Sequence, residues 1–167
     1  MTIGIRNNNP LNIRRGKSVW KGEKTPSNFC PPSHSLPNCS ATNGQLPVKG
    51  ENKKASPRGG LVGVAFCRFE SMEWGLRAAF CILRTYRDKH KANCIEDIIT
   101  RWAPPSENDT DAYIKAVCKL TGFGGKERLT EKDWPRLVAA MARQECGITL
   151  SEDVIQKGFR LFKVIQN

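Results

Sequence analysis

No apolar run in the 167-residue chain approaches the ~20 residues that a membrane-spanning helix requires. Nor does the N-terminus have the basic-then-apolar layout of a secretory signal. Together these predict a soluble protein that reaches any target outside a cytoplasm only by release or by delivery with other proteins. Histidine is scarce, with two residues, and the seven cysteines (Cys30, Cys39, Cys67, Cys81, Cys94, Cys118 and Cys146) include no C-x-x-C pair. Several of these cysteines occupy positions where a helix would take an apolar residue, so most read as reduced core thiols. The nearest approach to a metal box, Cys30, His34, Cys39 and Cys67, is irregularly spaced, so neither a metal nor a cofactor is expected. A local Cys30–Cys39 disulfide is the alternative for that segment. Acidic residues are also few: 16 Asp and Glu against 27 Lys and Arg give a net charge of +11. That balance favours an anionic partner such as nucleic acid, membrane head groups or bacterial wall polymer, and does not choose among them.

The chain is long enough for one domain with its own core, and residues 1–167 are read as one. Residues 24–60 are crowded with Pro, Ser, Asn, Gly and Lys and show no helical period, which predicts a loop-rich insertion. The piece "LVGVAFCRF" that follows reads as a strand. Beyond it the apolar residues recur at helical spacing. Ser71 is placed to cap a helix with Met72, Leu76, Ala79, Phe80 and Leu83 on one face. Asn93 is placed to cap a short helix through Ile95, Ile98, Ile99 and Trp102 that Pro104 and Pro105 stop. A third helix runs from about Asp109 to Gly122, and a fourth starts with a Thr130/Asp133 capping box and ends at Gly147. Ser151 opens the last, which carries Val154, Ile155, Phe159 and Phe162. The expectation is a mainly α single domain, with α+β as the alternative: about five helices and a small irregular or β-containing front lobe.

Two stretches stand out chemically. The chain opens on "RNNNPLNIR", in which asparagines tolerate left-handed backbone and Pro10 fixes the exit direction, so Asn7 to Asn12 can form a rigid turn. The fourth helix ends "MARQECG", which places Glu145 where the helix end carries about half a negative charge. That field disfavours an ionised carboxylate by up to ~1 kcal/mol, as suits a residue that must deliver a proton. An exposed glutamate without a role is the plainer reading of the same residues.

The motifs have a family likeness. "LVAAMARQECG" resembles the apolar helix ending in Glu-Ser-Gly that carries the acid in lytic transglycosylases and flagellar-type glucosaminidases, with Cys146 in place of Ser. "NNPLNIR", "WKG", "FCRFES" and "RWAPPSENDTDAY" follow in the order of the remaining glucosaminidase motifs, while the glutamate helix comes last instead of first. This order resembles a circular permutation, which adjacent chain ends make physically easy. "RNNNPLNIR" with "WAPPSENDT" also resembles phage virion-associated and prophage-encoded lysins, with Leu11 where a glycine is usual. The likeness covers most of the chain outside residues 24–60.

The resemblance implies a lysozyme-like fold, cleavage of the β-1,4 glycan of peptidoglycan, and Glu145 as general acid. Glu107 and Glu70 are the candidates for a second catalytic carboxylate, with Asp109 behind them. If none is in range, the substrate's own N-acetyl group can act as nucleophile. Asn8, Asn9, Asn12, Trp20, Asn108 and Tyr113 are the candidate sugar contacts, with Asn9 and Asn12 also expected to hold the turn. Core packing is the competing reading for Tyr113, and anchoring of the front loop for Trp20. Trp74 and Trp134 read as core. The implied partner is the bacterial wall, with other virion or delivery-system proteins, and no nucleic acid. Three other classes remain: a nucleic-acid binder, although the basic residues are dispersed and match no known signature; a phage structural protein without catalysis; and a wall-peptide endopeptidase pairing a cysteine with His34 or His90.

Overall fold

A computed structural model describes residues 2–17, 19–24 and 66–165 of the chain, so the 24–60 insertion and the Cys30/His34/Cys39 group lie almost wholly outside the described residues. The fold is mainly α. Among the described residues the helices are α1 (Ile3–Arg6), α2 (Met72–His90), α3 (Ile95–Trp102), α4 (Thr110–Thr121), α5 (Trp134–Cys146) and α6 (Glu152–Val164), with one 3-10 turn, Glu131–Asp133. None is long and apolar enough to cross a membrane.

The core forms where the periodic apolar stripes meet. α2 buries Leu76, Phe80 and Leu83, α5 buries Leu137, Val138 and Met141, and α6 contributes Ile155 and Phe162. The most extensive packing is that of α2 on α6, where Phe80 meets Phe159 edge-on with ring centroids 5.1 Å apart. Edge-on contact brings a ring's positive rim to its neighbour's negative face, which adds to the gain from burial. Trp134 is buried, whereas Trp74 is half-buried and packs against the core from the first turn of α2, beside Gly22 of the front lobe.

Helix termini follow the expected positions more closely than the expected chemistry. Asp109 caps α4 by accepting from the Ala112 N–H at 3.0 Å, and Thr130 and Asp133 form the capping box that leads through the 3-10 turn into α5. Ser71 and Ser151 occupy N-cap positions, but their side chains make no capping hydrogen bond. α3 is preceded by Cys94 and not Asn93, whose amide instead donates to the Lys91 carbonyl at 2.9 Å. Lys91 ends α2 in left-handed backbone, and Asn93 serves that turn.

Residues 61–65 of the expected strand lie outside the described residues, and its described part, 66–69, makes two isolated bridges, Arg14 with Phe66 and Glu23 with Phe69. The cause lies in the partner segment. Residues 7–12 are coiled into a turn, so side-chain amides take carbonyls that a neighbouring strand would have taken. Asn9 Nδ2 donates to Cys67 O at 2.9 Å and Asn8 Nδ2 to Phe69 O at 3.1 Å. The described part of the front lobe is therefore irregular.

Candidate active site

Glu145 lies in the last turn of α5, one residue before Cys146 and two before the left-handed Gly147 that ends the helix. Both of its carboxylate oxygens accept hydrogen bonds: Oε2 from Asn12 Nδ2 at 2.9 Å, and Oε1 from the Tyr113 hydroxyl at 3.0 Å. Three elements remote in sequence thus meet at one acid: the asparagine turn, the first turns of α4, and the end of α5.

The turn is built residue by residue. Asn8 and Asn12 both have left-handed backbone, φ 51° and 50°. Asparagine bears this conformation at lower cost than other residues bearing a Cβ. Leu11 lies between them without positive φ, its side chain buried in the core, so the turn does not require a glycine there. Asn9 is fully buried and spends its whole amide on the backbone: Nδ2 donates to Ile13 O and Cys67 O, and Oδ1 accepts from Ile13 N. The turn is then pressed onto α5 through α1. A Cβ on Gly4 would lie 2.6 Å from Cys146 Sγ and 2.8 Å from Asn9 O, so only glycine permits this approach. Cys146 Sγ donates to the Pro10 carbonyl at 3.1 Å, and burial raises its thiol pKa.

Tyr113 is buried, with 7% of its surface exposed. Burial first, then the charge of Glu145 and the bond to it, push its hydroxyl far above the ordinary tyrosine range. It is therefore a fixed proton-bearing donor at every ordinary pH. The Oδ1 of Asn12 is buried and finds no partner among the described residues. Its amide is committed to Glu145 at the cost of that oxygen.

Beside Asn12 opens a cleft of about 350 Å³, whose lining includes Asn12 but neither Glu145 nor Tyr113. Its aromatic lining is Trp20, Tyr86 and Trp102, and its charged lining is Arg14, Arg101 and Glu107. Trp20 is held in place by its backbone N–H, which donates to Glu23 Oε2 at 3.0 Å; Glu23 in turn accepts from Arg15 Nε at 2.9 Å.

The remaining expected residues fall as follows. Asn9 cannot touch a sugar, because it has no exposed surface. Asn8 spends its amide on the Phe69 and Glu70 carbonyls and so holds the turn. Asn108 is exposed on the turn after Pro104 and does not line the cleft. Glu70 is exposed at the bend before α2, also outside the cleft lining, and Asp109 is occupied as a cap. Glu107 does line the cleft, but Arg14 Nη2 donates to it at 2.6 Å. Sequence reasoning missed Arg14, Tyr86, Arg101 and Trp102 as cleft residues, although Arg14, Arg101 and Trp102 stand inside the two motifs that had drawn notice.

The cysteine–histidine reading gains nothing from the described residues. His90 packs edge-on against Tyr86, with no cysteine hydrogen-bonded to it. All five described thiols have raised pKa values, each chiefly through burial, whereas nucleophilic cysteines need lowered ones. None of the five is in a disulfide.

No protein-family model matches the chain. Protein P5 of Pseudoalteromonas phage PM2 is 34% identical to it over 160 residues, which span 93% of this chain and 79% of that protein. An identity of this size over nearly the whole length is shared ancestry, and the chain belongs to the family of the phage PM2 protein P5.

Proposed function

We propose that this protein degrades peptidoglycan by cleaving its β-1,4 glycan backbone, with Glu145 as the general acid. The observation that carries the reading is the pair of neutral donors, Asn12 and Tyr113, that fix the Glu145 carboxyl one on each oxygen. Each carboxyl oxygen has a second lone-pair site, so the group can carry a proton toward a leaving glycosidic oxygen while the two donors hold its plane. Such fixing gives a single acid catalytic value, because its orientation is settled before substrate binds. The adjoining cleft offers aromatic faces for sugar rings and guanidinium groups for the anionic parts of the wall.

A two-carboxylate mechanism needs a partner facing Glu145. Among the described residues the side chains hydrogen-bonded to Glu145 are Asn12 and Tyr113, neither of them a carboxylic acid, and Glu107 is engaged by Arg14. The substrate-assisted route, in which the N-acetyl carbonyl attacks the anomeric carbon as Glu145 protonates the leaving oxygen, asks for no second carboxylate. Kinship with a phage protein suits an enzyme that breaches or dissolves a host wall. That kinship alone equally suits a phage structural protein without catalysis.

Glu145→Gln keeps the size of the side chain and removes the transferable proton. It is expected to abolish lysis of purified sacculi while circular dichroism and wall binding are retained; full lytic activity in the variant would overturn the reading. Mass spectrometry of the fragments that the native protein releases identifies the bond. Anhydromuramic ends indicate the substrate-assisted transglycosylase route, reducing N-acetylglucosamine or muramic ends indicate hydrolysis at one or the other bond, and cut peptides refute a glycosidase.

A further inference from the structure

The turn from Trp20 to Glu23 carries more internal fixing than an exposed loop needs. Trp20 is tied to Glu23 twice: its carbonyl accepts from the Glu23 N–H at 3.0 Å, and its own N–H donates to Glu23 Oε2 at 3.0 Å. The Glu23 side chain is only 3% exposed, and its other oxygen, Oε1, accepts from Arg15 Nε at 2.9 Å. The buried Cys67 thiol hydrogen-bonds the same carboxylate. Arg15 also donates through Nη2 to the Lys24 carbonyl at 3.0 Å, so the segment before the turn is tied through Glu23 to the one after it. Behind the turn, Gly22 takes positive φ and lies so close to the Trp74 ring that a Cβ has no room, while its carbonyl accepts from the Glu70 N–H at 2.9 Å. Lys21 is exposed, and of the residues in this turn only Trp20 lines the cleft.

We infer that Glu23 is a positioning residue, which aims the Trp20 indole as the sugar-stacking wall of the cleft and so sets how tightly glycan is held. This goes past the glycan-cleaving reading above and rests on it for the ligand. A carboxylate withdrawn from water is costly, and an apolar side chain of similar volume generally stabilises a fold as well or better. An apolar residue could not, however, accept from the Trp20 N–H and from Arg15 at once. Those two bonds fix the backbone that carries the indole. Stacking requires the ring face in one orientation, and an indole on a loose loop would have to give up its freedom as the sugar binds. Glu23 removes that freedom beforehand. It lies outside the cleft lining and touches no sugar, so its effect falls on affinity, whereas Asn12 and Tyr113 act on the acid.

The test is a double-mutant cycle, with binding measured by calorimetry in the Glu145→Gln background, which binds without turnover. The ligand is a soluble wall tetrasaccharide of alternating N-acetylglucosamine and N-acetylmuramic acid. Trp20→Ala is expected to weaken binding about tenfold and Glu23→Ala about fivefold; with both, the loss is expected to be that of Trp20→Ala alone. Glu23→Gln offers one acceptor oxygen where the carboxylate offers two, so a loss of about threefold is expected, again only while Trp20 is present. It serves for the cycle if circular dichroism shows Glu23→Ala unfolded. With Glu145 intact, the Glu23 variants are expected to raise KM on sacculi by similar factors while kcat holds, a split that general loss of structure would not give. A Glu23 loss undiminished in the absence of Trp20, or no loss from the substitution tested, would overturn the assignment. Sacculus lysis by the native protein together with additive losses removes the role of Glu23 alone, whereas neither lysis nor tetrasaccharide binding removes the glycan-cleaving reading beneath it.

Discussion

Both oxygens of Glu145 are engaged before any substrate arrives, and the two partners are not equivalent. Tyr113 is buried, and its hydroxyl is held far above the ordinary range, first by burial and then by the neighbouring carboxylate, so it serves as donor and not as base or nucleophile. Asn12 reaches Glu145 from left-handed backbone and leaves its own Oδ1 buried without a partner among the described residues. A polar atom buried that way costs on the order of 1–3 kcal/mol, which the fold offsets elsewhere to keep the amide aimed at the acid. On the proposed glycan-cleaving reading, both residues act through Glu145 as positioning residues. Tyr113→Phe and Asn12→Ala are each expected to lower kcat on sacculi by on the order of tenfold to a hundredfold, with KM little changed. Steady-state kinetics with circular dichroism checks this, and an unchanged kcat in both variants would show that the two bonds are structural only. Glu145 drew notice through the likeness of its helix to an acid-bearing one, since the local pattern alone reads more plainly as an exposed glutamate. Asn12 and Tyr113 stood out as candidate sugar contacts, but their bonds to Glu145 were not legible, because Asn12 lies 133 residues away and only the folded chain puts the side chains in contact.

At the scale of elements, α2, α5 and α6 were legible because each repeats apolar residues every three or four positions over 13 or more residues. α1 was not, since four residues cannot show a period. Of the strand read at "LVGVAFCRF" only "FCRF" is described, and there an apolar run could not report that asparagine side chains occupy the carbonyls of Cys67 and Phe69. α1 nonetheless sets the site, because it carries the asparagine turn against α5. Gly4 has no room for a Cβ, with Cys146 Sγ, Asn9 O and Asn12 Oδ1 all within 2.9 Å of where one would be. Gly4→Ala must therefore push the turn away from α5 and draw the Asn12 amide off Glu145. The expected result is a loss of lytic activity out of proportion to the loss of stability, about 1–3 kcal/mol by denaturant titration. A variant that loses stability yet lyses sacculi at the native rate would show that the α1–α5 contact does not set the acid's geometry.

For the whole molecule, the groups that burial perturbs most are thiols and phenols, and they perturb in one direction. Cys67 is pushed from 9.0 to about 12, chiefly by burial and next by the charge of and hydrogen bond with Glu23; Cys81, Cys94, Cys118, Cys146, Tyr86 and Tyr113 are also raised, in each case chiefly by burial. A raised native pKa means that the unfolded chain releases its proton first. Below about pH 9 both states keep the thiol protons, and the contribution to stability is fully present. Above it the unfolded thiols ionise while the native ones do not, so stability falls as pH rises toward the native values. Self-repulsion would act the other way, since a chain of net charge +11 becomes less charged as its lysines lose their protons. The unfolding free energy from guanidinium titration is therefore expected to stay level to about pH 9 and then decline steeply. Cys67→Ala isolates one group: its slope above pH 9 should be shallower than the native one by an amount approaching 1.4 kcal/mol per pH unit, whatever the substitution costs at neutral pH. Parallel slopes for the two proteins would remove Cys67 from the account of alkaline unfolding, and a native curve level to pH 11 would remove the buried thiols altogether.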